Sequence, residues 1–557
     1  MPVFIDHGRH AARMVAFSSP HQLSLGGDGL AVKEERRVPL DAGMNTAKAP
    51  AHPFGAEPVQ SLVIEPLRGL DALLVMVPIP SHVTAVRTAC HSVGLNVRWE
   101  SLNTQVVGGD DLVSLLEQEA VPGIVTRVGQ AYLGAFLDAL PQQRQRGYLQ
   151  QLVLWSEAQN PPPDWRSLEP EQVLPWPSGQ WSQQARGMSE QLQPVFGALW
   201  AGHPEVCRLQ EHYQHPAHHK PRSLVALTRC WSAIEEHAPF SLYLLDPGRV
   251  SHYRMHEGVC LVNHSDVWGT HSPGIAPPEA WGAMTPAAQL QTLPTAKTVS
   301  RWLHNVSSLR QIEDVMANAL LFPSTRPHTH QELMIQLALV KAVAQRSDRV
   351  AQHNTTRSET LAPSQRILFT GEALPDMVHP VPYLLMLLDV ASPRGVVALY
   401  GDPHGVAALL GSHCLEGHIL EPRWPHEQSP LPHLATCIAP HQQGVNWETP
   451  SDHTVAIIKV DTEGHMSQLL RLRPGGLVRL PQTAGRRIHL TIEPARHYDF
   501  GAGRGRTWKG DVQGGRWGLV CDTRGRPLRL PATDLLRISR LRDWEYGLSQ
   551  GGEDDYE

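Results

Sequence analysis

The chain has 557 residues, which is too long for one compact core and indicates three or four domains. Its 41% hydrophobic and 18% charged residues are typical of a globular chain and exclude a disordered one. The formal charge of -6 is unevenly distributed, because residues 466–542 carry sixteen Lys and Arg against five Asp and Glu. The last fifteen residues carry six acids and no base. A basic module therefore lies between an acidic body and an acidic tail, where the contrast either steers partners or lets the module rest against the body.

The seven cysteines form no Cys-x-x-Cys pair and leave one over in any full pairing, which excludes a disulfide scaffold and a cysteine-only zinc module. Apolar runs stay well short of the roughly 18 residues of a membrane span. Asp6 and His7 stand where a secretory signal would be apolar. We therefore expect a reduced, cytoplasmic protein without a membrane span.

The N-terminal half predicts an α/β fold. Residues 3–17 indicate a strand, a tight turn at Gly8 and a second strand. Residues 18–60 predict an irregular loop. Residues 72–77, 81–92 and 95–99 then predict a strand, a helix and a strand, which together form a βαβ unit. Residues 156–222 predict long connections or irregular helices.

The second half predicts three strands at residues 242–262 and helices between residues 298 and 347. Thr329 and Glu332 form a capping box for a helix that is apolar nearly all round and therefore buried. Residues 367–369 predict a strand that ends at Gly371. Beyond residue 446, short β-like runs separated by glycine turns predict a small β-rich module, closed by a helix at residues 533–546.

Two turns with the pattern Asp-x-Gly, at Asp6–Gly8 and Asp246–Gly248, each join two predicted strands. Glycine lets backbone amides approach phosphate oxygens, and aspartate can hold a metal ion or orient a water molecule. Duplicated lobes that offer such hairpins to opposite sides of a nucleotide would give this spacing. The pair is compatible with an actin-like nucleotide cleft, although an Asp-x-Gly turn by itself is very common.

One family shares a set of motifs with this chain. They lie at residues 300–345, 368–374, 387–390 and 395–396, and most strongly at residues 501–503, 514–515, 518–520 and 524–528. On these motifs the chain resembles the MutL-type (glutamate mutase L) proteins over residues 236–548. The resemblance implies a two-lobed actin-like ATPase fold with a small β-rich C-terminal module. It divides the chain at residues 1–235 (first lobe), 236–445 (second lobe), 446–542 (basic module) and 543–557 (acidic tail).

The resemblance also implies phosphate loops, and this chain departs from the family pattern there. Arg9 follows Gly8, and Arg249 follows Gly248, where the family has small residues and threonines. Lost hydroxyl groups remove hydrogen bonds to phosphate, although an arginine can still pair with it. The catalytic residues of an ATPase would be Asp6 and Asp246. The residues expected near the nucleotide are Gly8, Arg9, Gly248, Arg249, Ser251, Thr370 and Gly371.

A histidine run and an arginine set offer further candidate sites. His212, His215 and His219 share one face if the segment is helical, and neutral imidazoles there could hold zinc or nickel. Pro216 interrupts such a helix, and exposed histidine runs are common in a histidine-rich chain. The arginines of the basic module either bind nucleic acid or belong to a structural β-module; they include Arg504, Arg506, Arg524 and Arg526.

The sequence therefore predicts a non-catalytic or nucleotide-regulated accessory or scaffold protein that acts on a protein partner. The alternative is an active Mg-dependent ATPase that serves a partner enzyme. A second alternative is nucleic-acid binding through the C-terminal module. No cofactor is fixed by the sequence, and ATP with Mg²⁺ is the candidate.

Overall fold

The structure is a computed structural model. It describes residues 3–7, 11–17, 32–39, 59–64, 71–75, 80–99, 123–126, 151–156, 172–175, 177–234, 239–256, 259–266, 294–304, 308–321, 326–354, 365–374, 379–416, 431–441, 453–462, 467–526 and 528–550. Among these residues, no helix combines the length and the apolar character that crossing a membrane requires.

The helices in this part of the chain are α1 (Pro80–Val93), α2 (Trp181–Gly202), α3 (Pro204–Tyr213), α4 (Lys220–Ile234), α5 (Ala296–Ser300), α6 (Leu309–Leu321), α7 (His330–Asn354), α8 (Pro380–Ala391), α9 (Ala407–Leu415) and α10 (Asp534–Gln550). The strands are β1 (Val3–His7), β2 (Ala11–Phe17), β3 (Val32–Pro39), β4 (Val59–Ile64), β5 (Asp71–Val75), β6 (Asn96–Trp99), β7 (Gly123–Thr126), β8 (Gln151–Ser156), β9 (Gln172–Pro175), β10 (Ala217–His219), β11 (Phe240–Asp246), β12 (Arg249–His256), β13 (Val259–Asp266), β14 (Arg366–Thr370), β15 (Gly395–Gly401), β16 (His433–Ala439), β17 (Ala456–Thr462), β18 (Gln468–Leu472), β19 (Leu477–Leu480), β20 (Arg487–Pro494), β21 (Trp508–Gln513) and β22 (Leu519–Asp522).

Two of the sheets repeat one arrangement of strands. The first sheet has the order β3-β2-β1-β4-β10, and the central sheet begins with β13-β12-β11-β14-β15. In both, the first three strands along the chain form an antiparallel meander, and the next two run parallel to the first strand of that meander. The α/β class predicted from the sequence is therefore confirmed, and the same topology occurs twice.

A third sheet is inserted between the fourth and fifth strands of the first sheet. This inserted sheet has the order β6-β5-β7-β8-β9, and all its neighbouring strands are parallel. The order is one of the two common for doubly wound α/β sheets. The predicted βαβ unit is confirmed as β5, α1 and β6. Helix α1 packs its buried alanine and valine side chains against α2.

Two helices, α4 and α9, lie between the first sheet and the central sheet. Helix α4 contacts β11 and β12, and α9 contacts β1 and β4. Their apolar side chains share one core with residues of both sheets, including Val63 of β4 and Leu244 of β11. The opposite face of the central sheet is covered by helices α5 to α8 and α10. The central sheet is therefore buried on both faces, which explains the apolar runs of β11, β14 and β15.

Residues beyond 446 contribute two strands to the central sheet. Strands β22 and β19 extend the central sheet beyond β16, and β16 pairs with β22 in parallel. The C-terminal sheet has the order β18-β17-β20-β21 and packs its apolar side chains onto this extension. The central sheet therefore takes strands from both sides of residue 446, where the sequence predicted a boundary.

Several local predictions can be compared with the structure. The capping box of α7 is confirmed, since the Glu332 amide donates to Thr329 Oγ1 at 3.1 Å. The glutamate side chain accepts from the amide of His328 at 2.7 Å, one residue earlier than predicted. Residues 156–222, predicted as long connections or irregular helices, contain the regular helices α2 and α3, and α2 includes Pro194. The predicted loop at residues 18–60 contains β3.

Candidate functional site

The carboxyl ends of three parallel strands meet at one edge of the central sheet. Strands β11, β14 and β15 are neighbours and run in the same direction. Asp246 is the last residue of β11, Thr370 is the last of β14, and Asp402 directly follows β15. The predicted aspartate turn and the predicted glycine turn therefore do come together. In open α/β sheets this carboxyl edge is the usual location of a ligand site.

The carboxylate of Asp246 is held by its own chain on both oxygens. Oδ2 accepts from Arg249 Nη2 at 2.8 Å and from Nε at 3.2 Å, across the two-residue turn that joins β11 to β12. Oδ1 accepts from the backbone amide of Glu372 at 2.8 Å. The side chains of Arg249 and Asp246 are 7% and 17% exposed. These contacts use three of the roughly four lone-pair sites of the carboxylate, and the positive charge of Arg249 opposes a metal ion there.

Gly371 lies directly against the end of β11. Its φ of +120° is unfavourable for any residue with a side chain, and a Cβ atom there would overlap the carbonyl oxygen of Leu245. The same carbonyl accepts from the amide of Ala373 at 2.9 Å. Glycine is thus required for contact between two backbone segments of the chain.

Asp402 is a buried residue of this edge that sequence reasoning missed. Its carboxylate accepts from Thr370 Oγ1 at 2.8 Å and from the amides of Val406 and Ala407 at 2.8 and 2.9 Å. The amides belong to the start of α9, where a negative charge is favourable. The signal was an aspartate at the end of an apolar run, in the segment Gly401-Asp402-Pro403.

The other residues predicted to lie near the nucleotide are either buried, placed only by their strand, or outside the described residues. Ser251 is 1% exposed on β12, so its hydroxyl is not presented to a ligand. Gly248 is buried in the turn beside Asp246. Asp6 lies in β1, opposite Arg13 of β2. Gly8 and Arg9 lie outside the described residues, and the cleft between the two hairpins stays a prediction.

The predicted histidine site is wrong. Helix α3 ends at Tyr213, and His219 belongs to β10, so the three histidines do not share a helical face. His212 is exposed, whereas His219 is 3% exposed and lies with its ring centroid 5.1 Å from that of Trp200. His215 Nδ1 is 2.7 Å from the carbonyl oxygen of Pro216. Within the described residues, no group of three or more His, Cys, Asp or Glu side chains is placed to hold a metal ion.

Two of the four predicted nucleic-acid-binding arginines are inaccessible. Arg524 and Arg526 are each 1% exposed, and both guanidinium groups pair with Asp522 at 2.7 Å. For these two arginines the structural alternative applies, because their guanidinium groups are buried and paired with a carboxylate inside the protein. Arg504 and Arg506 are exposed in the turn between β20 and β21.

Comparison of the sequence with known proteins does not assign the chain to a family. No protein-family model matches the chain, and no curated protein matches it.

Proposed function

We propose that the chain is a two-lobed actin-like protein of the MutL type that has lost ATP hydrolysis and serves a protein partner as an accessory or scaffold. The repeated strand order of the first and central sheets supports the two lobes, since an actin-like fold duplicates one α/β unit. The position of α4 and α9 between these sheets agrees with that arrangement.

The loss of hydrolysis rests on one observation, the paired carboxylate of Asp246. A working site of this type needs that aspartate to act on magnesium or water. Here Arg249 and the amide of Glu372 use both of its oxygens. The Arg249 guanidinium is a permanent cation, so it disfavours a second cation at the same carboxylate.

A phosphate-release assay tests the proposal. The full chain is incubated with MgATP and compared with Asp246→Asn and with Asp511→Asn, which removes a carboxylate from an exposed ion pair of the C-terminal sheet. We expect equal background release from all three proteins. Release that is lost in Asp246→Asn and kept in Asp511→Asn would instead establish the active ATPase.

The partner is tested separately, by affinity capture with the purified chain and cross-linking of the captured complex. We expect one protein to be captured at constant stoichiometry with and without added ATP. A capture that requires ATP would favour nucleotide regulation. Recovery of no specific protein under either condition would contradict the scaffold role.

A further inference from the structure

One loop of the C-terminal sheet concentrates exposed positive charge. It comprises residues 496–509, which connect β20 to β21 and include the first two residues of β21, and we call it the basic loop. Four of its residues are Arg or Lys, and only Asp499 is acidic. All four cations are exposed, and within the described residues none of their side chains has an ion pair or a hydrogen bond; they are Arg496, Arg504, Arg506 and Lys509.

Hydrogen bonds of its own backbone hold the basic loop in shape. Asp499 Oδ1 accepts from the amide of Gly501 at 2.7 Å and from that of Gly503 at 3.0 Å. The amide of Gly505 donates to the carbonyl oxygen of Tyr498 at 2.8 Å. The loop is therefore preorganised, so a ligand that binds to it does not have to supply the free energy of ordering its backbone.

The folded loop places its arginines near one another. A Cβ atom at Gly505 would lie 3.3 Å from the Cα atom of Arg496, so the segment from Arg504 to Arg506 runs directly against Arg496. A Cβ atom at Gly503 would lie 3.3 Å from Cδ of Arg506, which shows that this side chain folds back over the loop. Like charges at close range repel each other, and a bound polyanion relieves that repulsion.

An aromatic ring lies beside these charges. Trp508 is half-buried at the start of β21, which is the edge strand of its sheet. A Cβ atom at Gly510 would lie 2.8 Å from Cη2 of the indole, and one at Gly501 would lie 4.0 Å from Cδ1. The ring therefore extends along the strand from the loop, next to the exposed Lys509. Cations beside an aromatic surface are the combination with which proteins bind single-stranded nucleic acid, whose bases stack while its phosphates pair.

The surface fits nucleic acid better than it fits a protein. A stable protein interface is built around a buried apolar centre. The large apolar side chains that the described residues expose lie outside the basic loop, at Leu309, Leu469, Leu535 and Tyr546. Interfaces with nucleic acid are more polar and much more positively charged, and arginine pairs with phosphate through two parallel hydrogen bonds.

We propose that the basic loop binds single-stranded nucleic acid through the phosphates, without sequence preference, and that Trp508 provides a stacking surface for a base. The four exposed cations contact the phosphates, and the buried Arg524 and Arg526 take no part. This inference is independent of the proposed function, because it concerns neither Asp246 nor ATP.

Fluorescence anisotropy of a labelled single-stranded oligonucleotide of about twelve nucleotides, titrated with the full chain, tests the proposal. The logarithm of the association constant should fall with the logarithm of the salt concentration with a slope of about -3, because each of four phosphate contacts contributes about -0.7. The double variant Arg504→Ala, Arg506→Ala should bind roughly 25-fold more weakly at about 0.1 M salt, with a slope of about -1.4. No binding by the unmodified chain at about 0.05 M salt would overturn the proposal.

Two variants separate a specific loop from general positive charge. Arg487 is exposed at the opposite end of β20, where it pairs with Asp511 at 3.0 Å, so Arg487→Ala should keep both the affinity and the slope. The double variant Arg504→Lys, Arg506→Lys keeps the charge and should keep the slope. Equal weakening by Arg487→Ala and by the double alanine variant would contradict the assignment to the basic loop.

The Asp499→Asn variant should bind more tightly. Its side-chain oxygen can still accept from the amides of Gly501 and Gly503, but the negative charge of the loop is gone. We expect a gain of roughly fivefold at about 0.1 M salt, equal to one additional phosphate contact. Polyglutamate of matched length distinguishes the other class of partner. If polyglutamate binds and the oligonucleotide does not, the proposal is overturned and the loop is a surface for acidic proteins.

Discussion

The two edges of the central sheet at which its strands end each carry an aspartate that is paired with an arginine. The surroundings of the two pairs differ. Asp246 ends β11, whereas Asp522 ends β22, which runs in the opposite direction. The side chain of Asp246 is 17% exposed, and that of Asp522 is 0% exposed. A short-range Asp-Arg pattern therefore occurs at both edges, and the elements that cover each edge decide whether the pair is accessible.

The buried edge contains a chain of alternating charges. Arg524 pairs with Asp522 and with Asp389 of α8, and Asp389 pairs in turn with Lys341 of α7 at 2.9 Å. Helix α10 covers the cluster, since the guanidinium of Arg524 lies 4.9 Å from the ring centroid of Trp544. Burial alone would raise the pKa of Asp522, but the neighbouring arginines outweigh it and hold the pKa well below its usual range.

Removing the charge of Asp522 tests the difference between the edges most strongly. We expect Asp522→Asn to lower the free energy of unfolding by about 4 kcal/mol, because two buried guanidinium groups lose a shared carboxylate. Asp511→Asn removes an exposed carboxylate paired with Arg487 and His489, and its effect on stability should be far smaller because solvent screens the pair. Urea unfolding of both variants measures the contrast. Equal losses would show that the Asp522 cluster is not buried.

Acid should weaken the edge that contains Asp246. His433 lies at this edge, opposite the end of β15, and burial, with a smaller effect from the charge of Arg366, lowers its pKa to about 4. Burial similarly lowers the pKa of His252 to about 3. In the unfolded chain a histidine has a pKa of about 6.5. Between that pH and the lower folded pKa, the unfolded chain therefore binds more protons than the folded chain does. The stabilising contribution is complete above about pH 6.5 and is lost as the pH falls towards the folded pKa.

For His433 this loss amounts to about 3 kcal/mol between pH 6.5 and pH 4. Urea unfolding across this range should show a falling free energy, and His433→Gln should reduce the slope. Because the pKa of Asp522 lies far lower, Asp522→Asn should leave the slope unchanged. A slope that persists in His433→Gln and vanishes in Asp522→Asn would contradict this prediction, because the acid sensitivity would then come from Asp522.

Local patterns predicted the accessible edge better than the buried one. The hairpin at Asp246 and the turn at Gly371 follow from apolar runs that end in turn residues, and adjacent parallel strands bring their carboxyl ends together. Asp402 was missed because its role depends on α9, which begins five residues later. The burial of Arg524 and Arg526 depends on α8 and α10, and no local pattern contains those long-range contacts.

Helix α2 shows a second kind of failure. Met188, Leu192, Val195 and Leu199 are buried at helical spacing, so the periodic signal was present. Glutamines between them and Pro194 inside the helix obscured it. Packing against α1 outweighs the unfavourable proline. Propensity alone could not reveal this, because the partner helix lies about ninety residues earlier in the chain.

A substitution at Gly371 tests the close approach of its backbone to that of Leu245, at the edge that contains Asp246. Gly371→Ala should lower the free energy of unfolding by about 2 kcal/mol, because alanine is strained at this φ and its Cβ would overlap Leu245. Gly197 provides the control, since it lies in α2 and a Cβ atom there would meet no other atom. Gly197→Ala should stabilise the chain by about 0.5–1 kcal/mol. Thermal or urea unfolding should therefore give opposite signs for the same substitution.

The smallest expected effect is at Arg249. Its removal in Arg249→Ala leaves Asp246 with the amide of Glu372 and with partial access to water, so the stability loss should be about 1 kcal/mol. That is well below the loss expected for Asp522→Asn, where no solvent replaces the missing partner. Urea unfolding measures the stability, and Mg²⁺ titration followed by thermal shift measures whether the freed carboxylate gains a cation. A small stability loss with new Mg²⁺ binding would identify Arg249 as the group that excludes the metal. A loss as large as that of Asp522→Asn would mean that both edges are equally closed to solvent.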